Sequence, residues 1–378
     1  MIEFNTTTTT RQQAVNMLIV NKLGFILGTS RRDNHSVFGL AGGKVEIGEH
    51  VIDAAKRELA EETLIDFKDH TFNLIHVRQG DQIEDNTFHV PVSKSFTPNL
   101  RDASKKLLEK GEGIVKWVTW TELFEGPFGS YNRSISGIWN HIQSLDVGTS
   151  YVNPRTKELL VVENDLGSHY VVRVNSVNDI LLLKRGSLLA LDLIKREDFK
   201  PDPMREEIDR MALAAVGAHR NANHYYQLNP IHVHYVEHLA DAVDVFHEFK
   251  HLIPKSEQNY VEAGLWFHDA PEDARLTFND VKKLSNESVA WLAHALTTHK
   301  GYNRATRAPK EYYDEIKKVP HGVFAKLCDR IANVRCGIIS GKGVDMYKKE
   351  LAKFRGHLDV DARLNPMWDL LEDYLNNF

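Results

Sequence analysis

Gly43-Lys44-Val45-Glu46-Ile47-Gly48-Glu49, followed seven residues later by Arg57-Glu58-Leu59-Ala60-Glu61-Glu62, decides how this chain is read. The glycines specify a loop, and the second stretch has helical spacing. Positions three and four apart share a helix face, so Glu58, Glu61 and Glu62 project together while Val51, Ala55 and Leu59 form the buried stripe of the same helix. Three like charges this close repel one another unless a cation sits among them, and a hard divalent ion with oxygen ligands is the natural guest. A solvated acidic face is the bland alternative.

The fixed offsets of Gly43, Glu49, Arg57-Glu58 and Glu61-Glu62 set the bland reading aside. They resemble the Nudix box, a glycine, five residues, a glutamate, seven residues, then Arg-Glu-aliphatic-x-Glu-Glu-x-Gly. Only the last glycine is missing, and Leu64 stands in its place. In the family that glycine ends the helix, and a leucine takes a left-handed conformation only at a cost. The resemblance implies that Glu61 and Glu62 hold magnesium, that Glu58 is a further ligand or the base on water, that Glu49 supports the cluster, that Arg57 orients it and that Gly43 belongs to the substrate loop. Nudix domains commonly draw one more glutamate from outside the box; Glu112 is the candidate, with Glu109 close by.

Composition sets outer limits. A chain of 378 residues accommodates about two or three domains, each with a core. A net charge of -5 with 26% charged residues gives no basic footprint for duplex nucleic acid. Two cysteines, Cys328 and Cys336, and the lack of a long apolar run or leader lead us to expect a cytoplasmic protein without membrane contact. The tract Thr6 to Thr10 reads as a polar lead-in.

Along the chain, Ala14 to Val20 and Gly24 to Gly28 bracket Asn21-Lys22-Leu23 as a hairpin. Strand-like runs come next near Phe72 to Val77, Thr87 to Val92 and Gly113 to Val118, with helical closure at Thr121 to Glu125 and Ser134 to Gln143. This is the element order of a Nudix sandwich. From about Gly148 the runs Leu159 to Glu163, His169 to Val174 and Ile180 to Lys184 are β-rich, either a small module or an extension of the first sheet. Lys200-Pro-Asp-Pro203 opposes helix and strand and reads as a linker. Beyond it the periodicity is helical. The expected architecture is therefore multidomain: an α/β Nudix sandwich over 1–147, a β-rich connecting segment over 148–200 and an all-helical domain over 201–378.

The helical part holds most of the 19 histidines. Tyr235-Val-Glu-His238, Leu265-Trp-Phe-His268-Asp269 and Ala325-Lys-Leu-Cys-Asp329-Arg-Ile-Ala-Asn333 stand out by spacing. An adjacent His-Asp in an apolar helix is costly unless paired or metal-bound. His238, His268, Asp269 and Asp329 make a mixed nitrogen and oxygen shell suited to manganese, iron or zinc. The ordering resembles the HD-domain phosphohydrolases, and within them the alarmone-hydrolase branch, the SpoT-like and small alarmone hydrolases, which share the Glu272-Asp273 pair. That resemblance implies that the four residues bind the metal, that Glu272 and Asp273 position and deprotonate the attacking water, and that Arg330 and Asn333 contact the nucleotide. Two positions depart from the branch. Gln227 to Val233 replaces an Arg and a Lys expected before the first histidine, and Cys336 replaces a threonine. Lys300, Arg304, Arg307 and Lys310 either supply phosphate contacts instead or form a solvated basic face, and His219-Arg220 is read as packing.

The two resemblances together imply a bifunctional hydrolase of small phosphorylated nucleotides, with magnesium at the Nudix site and manganese or another transition metal at the HD site. It would cleave a nucleoside-linked pyrophosphate at one site and a ribose 3′-(pyro)phosphate of a (p)ppGpp-type alarmone at the other. The alternatives are NAD(P)(H) or ADP-ribose breakdown with a 2′-phosphatase, and a nucleotide sensor with one non-catalytic domain.

Overall fold

The structure is a computed structural model that describes residues 11–80, 82–142, 144–174, 179–222, 225–228, 231–298, 308–341 and 343–377. The Thr6 to Thr10 tract and Lys300, Arg304 and Arg307 lie outside the described residues. The chain divides into two compact units, Met1–Ser144 with Lys184–Leu191, and Leu145–Leu183 with Asp192–Phe378.

The first unit runs β1 (Gln12–Leu18), β2 (Ile26–Ser30), β3 (Phe38–Lys44), α1 (Val51–Thr63), β4 (Asn73–Gln79), β5 (Ile83–His89), α2 (Leu100–Glu109), β6 (Val115–Val118), α3 (Trp120–Phe124) and α4 (Gly129–Ile142). Its six strands form one mixed sheet in the order β4-β5-β1-β3-β2-β6, in which β1 and β5 are parallel. Alternation along β1 explains the layering. Val15, Met17 and Ile19 pack with Ala54, Ala55 and Leu59 of α1, whereas Leu18 and Val20 pack with Leu123, Ile135 and Trp139 of α3 and α4. Helices therefore cover both faces of the sheet, because a strand with apolar residues on both of its sides has two faces to bury.

The turn at Asn21-Lys22-Leu23 is present, with Asn21 Oδ1 accepting from the amides of Leu23 and Phe25 at 3.0 Å each. The hairpin itself is not. After the single bridge between Val20 and Ile26 the two strands part, and β3 lies between them. Helix α2 was not foreseen; Asn99 caps it through the Asp102 amide at 2.9 Å, and Ala103 and Leu107 are its buried face.

The second unit begins with β7 (Ser150–Val152), β8 (Leu159–Asp165), β9 (His169–Val174), β10 (Asp179–Lys184), whose last residue belongs to the first unit, the short α5 (Leu188–Leu191) of the first unit, and β11 (Ile194–Lys195). These strands make their own sheet, β10-β9-β8-β7-β11, which shares no described strand with the six-stranded one. Then come α6 (Glu206–Asn221), β12 (Tyr225–Leu228), β13 (Ile231–His234), α7 (Val236–Phe249), α8 (Lys255–Phe267), α9 (Ala270–Asp273), α10 (Phe278–Leu284) and α11 (Glu287–Leu296). The last described helices are α12 (Lys310–Lys318), α13 (Gly322–Ser340), α14 (Val344–Leu358) and α15 (Asn365–Asn377). Helix α13 is the axis of this bundle, with most of its residues buried against its neighbours.

Sheet and helices of the second unit are joined by ion pairs. Arg155, on the turn before β8, donates to Glu237 at 2.8 Å, Asp241 at 2.8 Å and Asp244 at 2.7 Å, all on α7. The fully buried Glu158 accepts from Arg220 of α6 through both oxygens, at 2.6 and 2.8 Å. A buried arginine that donates two parallel bonds to one carboxylate is strongly oriented.

Two candidate active sites

In the first unit the helix α1 lies across the sheet so that its carboxylates meet the loop after β3. Arg57 sits at the centre. Its guanidinium donates to both oxygens of Glu49 at 2.9 Å, to Glu58 at 2.9 Å, to Glu61 at 3.3 Å and to the Lys44 carbonyl at 3.1 Å. Hydrogen bonds from Arg57 hold the Glu49 carboxyl below its usual range. Gly43 is there for a steric reason, since a Cβ on it would stand 2.3 Å from Glu58 Cδ. The structure places Gly43 against this carboxylate, so its visible role is to make room for Glu58.

Glu62 turns the other way. Its Oε2 accepts from the Gly42 amide at 2.9 Å and from Thr29 Oγ1 at 3.2 Å. Burial, reinforced by the charges of Glu58 and Glu112, pushes its carboxyl up to about 7. Glu112, not the exposed Glu109, lines the same cavity of about 180 Å3 as Glu62 and is 2.5 Å from Arg32 Nε. The three glutamates of α1 are thus not gathered into a single shell. Arg57 draws Glu58 and Glu61 to one side, where its positive charge does part of what a cation would do. Glu62 and Glu112 keep a like-charge pair on the cavity wall, with neutral donors around Glu62, a set of oxygens that suits a hard divalent ion.

The exit of α1 keeps a left-handed turn without a glycine. Leu64 does adopt the left-handed conformation, with φ of 53° and ψ of 25°, and its amide closes the helix on the Ala60 carbonyl at 2.9 Å. Packing of the leucine against the α1 side of the sheet core, together with the Thr63 hydroxyl accepting from the Ile65 amide at 3.2 Å, offsets the strain.

In the second unit α7, the end of α8 and α13 bring His238, His268, Asp269 and Asp329 together. Each offers one ligand atom, and these atoms all lie within 4.8 Å of one another; among the described residues it is the one such group of three or more. His238 Nε2 is 3.2 Å from His268 Nε2 and 3.2 Å from Asp329 Oδ1, and His268 Nε2 is 3.0 Å from Asp269 Oδ2. The Nδ1 of His268 donates to the Leu265 carbonyl at 2.6 Å, which fixes the tautomer and leaves the Nε2 lone pair facing the group. Burial opposes a proton on His268, yet the carboxylates of Asp269 and Asp329 outweigh it and raise the ring to about 10, so Nε2 carries a second proton unless a cation takes its place. Two imidazole nitrogens and two carboxylates converging on one point call for positive charge there, and a transition metal fits the donors.

Supporting groups surround this centre. Tyr235 donates to Asp269 at 2.5 Å, and Lys326, one turn before Asp329, donates to its Oδ2 at 2.7 Å. The Asn333 side-chain amide, expected to contact the nucleotide, donates to Asp329 Oδ1 at 2.6 Å. Arg330 pairs with Glu350 at 2.9 Å and lies over the rings of Tyr347 and Phe354. Glu272 accepts from Thr298 Oγ1 at 2.6 Å. Burial and the charges of Asp269 and Glu272 push Asp273 up to about 7. All of these supporting groups face one cavity of about 750 Å3, whose wall also includes Tyr312, Tyr313, Lys349 and Lys353. His219 is buried and stacks on Tyr235, and Arg220 is in the Glu158 pair, which is packing as expected. Lys310 is exposed and paired with Asp314 on its own helix at 2.6 Å.

Residues 10–135 match the family described as NUDIX domain. The N-terminal unit carries a Nudix domain. Solved structures similar to part of the chain include a mutT/nudix family protein from Listeria innocua, 19% identical with a TM-score of 0.26, covering 35% of this chain and 96% of that one. The E. coli dihydroneopterin triphosphate pyrophosphohydrolase is 18% identical with a TM-score of 0.25, covering 33% of this chain and 92% of that one. A MutT protein from Methanosarcina mazei Go1 is 16% identical with a TM-score of 0.25, covering 37% of this chain and 100% of that one. No curated protein matches. Nudix domains are those of hydrolases acting on nucleotide pyrophosphates, generally with Mg2+ or Mn2+. No helix among the described residues is long and apolar enough to cross a membrane.

Beyond the Nudix box, sequence reading assigns Tyr235 and Lys326 no role although the segments that hold them stand out, and it does not point to Thr298 or the aromatic wall of the larger cavity. The i, i+3 spacing of Lys326 and Asp329 signals their pairing; Thr298 reaches Glu272 only through the fold.

Proposed function

We propose that the chain is a bifunctional metal-dependent nucleotide hydrolase. Its Nudix domain, within 1–147, cleaves a nucleoside-linked pyrophosphate, and an HD-type phosphohydrolase domain, within 201–378, removes a ribose 3′-(pyro)phosphate from a (p)ppGpp-type alarmone. Residues 148–200 connect them. The observation that carries the second activity is the convergence of His238, His268, Asp269 and Asp329 beside Glu272 and Asp273, in a cavity with basic and aromatic walls. A site that only binds ligand has no use for two further carboxylates next to four ligand atoms.

In this reading Glu62, with Glu112 on the same cavity wall, would hold magnesium, Glu58 and Glu61 would join it on release from Arg57, and the four residues of the helical unit would hold manganese or another transition metal. When bound, such ions neutralise charge on phosphate oxygens. The rest is done by the protein. Arg57 fixes Glu49 and Glu58, leaving Glu58 as a further ligand or the base on water. Thr298 fixes Glu272, and Asp273 takes the proton of the attacking water. Lys349 and Lys353 face the anionic substrate, with Tyr347 for its rings and Arg330 and Asn333 on the same cavity wall.

Phosphate and pyrophosphate release from a nucleotide panel, with magnesium and then manganese, tests both activities in wild type, Glu62→Gln and Asp269→Asn. Glu62→Gln should lose magnesium-dependent pyrophosphate cleavage and keep release from the 3′ position; Asp269→Asn should do the reverse. Release of a 2′-phosphate from NADP(H), with none from 3′-phosphorylated nucleotides, would replace the alarmone reading by dinucleotide breakdown.

A further inference from the structure

An exposed phenylalanine is ordinary on its own. Phe128 differs in where it stands and how it is held. It is 61% exposed yet lines the cavity that contains Glu62 and Glu112, together with Thr29, Arg31 and Gly39. Its backbone is fixed on both sides: a Cβ on Gly129 would lie 2.0 Å from the Phe124 carbonyl oxygen, and one on Gly126 would lie 2.9 Å from that of Phe38. The Gly129 amide closes a turn on Gly126 at 2.9 Å, and the Phe128 carbonyl accepts from Asn132 in the first turn of α4 at 2.9 Å. Opposite the ring stands Gly39, where even a methyl group would only just reach it, at 4.0 Å. A rigid backbone thus offers an aromatic surface to open space, next to carboxylates suited to a phosphate-bound cation.

We propose that Phe128 is the base-stacking residue of the Nudix site, setting its preference for nucleoside 5′-polyphosphates over polyphosphates that lack a base. The inference rests on reading this cavity as the Nudix reaction site. At about 180 Å3 the cavity is below the size that encloses a whole drug-sized ligand, so it takes one planar ring with the phosphates leading toward Glu62. Stacking on a preformed ring is tolerant of base identity, because every base has a π face. Purines and pyrimidines should therefore both bind, and a missing base should be felt more than a changed one.

The test uses the full chain with magnesium and an α,β-methylene nucleoside triphosphate, which binds without being cleaved, and inorganic tripolyphosphate as the base-free probe. Phe128→Ala should raise the dissociation constant of the nucleotide roughly 5- to 100-fold and leave that of tripolyphosphate within about twofold. Phe128→Trp should restore nucleotide affinity, and the indole it introduces should be quenched by the nucleotide and not by tripolyphosphate. Equal weakening of both probes by Phe128→Ala, or unchanged nucleotide affinity, overturns the proposal. Turnover of the cleavable nucleotide by wild type is scored separately; its loss would count against the Nudix reaction at this site and leave the binding comparison decisive for Phe128.

Discussion

His238 and His268 point their Nε2 atoms at each other across 3.2 Å, from two different helices. His268 carries its proton on Nδ1, as its bond to the Leu265 carbonyl requires, so its Nε2 lone pair is left facing the other ring and the carboxylates. The arrangement is stable only with positive charge between the rings and the carboxylates of Asp269 and Asp329. Asp269→Asn removes one negative charge from that balance and should lower metal occupancy about 10- to 100-fold. Elemental analysis on a Glu62→Gln background reads this directly. Full stoichiometric metal in the double variant would remove Asp269 from the ligand set.

Glu272 and Asp273 lie beside this centre without being part of the four-atom group. Glu272→Gln together with Asp273→Asn should retain metal and substrate binding while turnover falls about 100- to 10,000-fold, the usual effect of losing a general base. A rate close to wild type would move proton transfer away from this pair.

Leu64 holds a left-handed conformation, with φ of 53°, where glycine is free of strain. Leu64→Ala loses packing and keeps the strain; Leu64→Gly loses the same packing and relieves it. The glycine variant should be more stable than the alanine variant by about 1 kcal/mol. Thermal unfolding of the two side by side measures it, and an alanine variant as stable as the glycine one would mean that the backbone is unstrained there.

His89 packs its ring against Trp139 with centroids 4.5 Å apart, and burial lowers its pKa to about 4. Its folded pKa lies below the unfolded value of about 6.5, so between these limits the unfolded chain binds more protons. Stability of the first unit should therefore be complete above about pH 6.5 and fall as pH drops toward 4. The shift sets a ceiling of roughly 3 kcal/mol, and partial exposure of the ring reduces this to about 1–2 kcal/mol. Denaturant midpoints at pH 7 and pH 5, compared between wild type and His89→Gln, isolate the effect. An identical pH slope in both proteins would show that His89 does not contribute.

How far the sequence could be read depended on the range of the interactions involved. The offsets from Gly43 to Glu62 are local, and a helix turns them into a shared face, so the carboxylate helix was legible. The opposed orientations of Glu58 and Glu62 were not, because they depend on Arg57 competing with Gly42 and Thr29 for those side chains. Likewise His268-Asp269 and Asp329 were each visible, while the contact that joins them needs α8 and α13 to pack. The hairpin failed for a related reason. A good turn at Asn21 to Gly24 fixes only its own residues, and β3 outcompetes β2 for the edge of β1 over four paired positions, Ala14 to Met17. Helix α2 went unread because only Ala103 and Leu107 of its residues are fully buried, too few apolar positions to announce a stripe.

Arg155 separates the order of the chain from its inheritance. Glu237, Asp241 and Asp244 occupy successive turns of one helix face, and a guanidinium that pairs with all three comes from the turn before β8, more than eighty residues earlier. A protein begun at residue 201 would leave Glu237, Asp241 and Asp244 on α7, the helix that supplies His238, without Arg155, and the buried Arg220 of α6 without Glu158. Recombination or truncation that divides the chain there breaks a heritable block, and the five-stranded sheet must travel with the helices wherever they are borrowed.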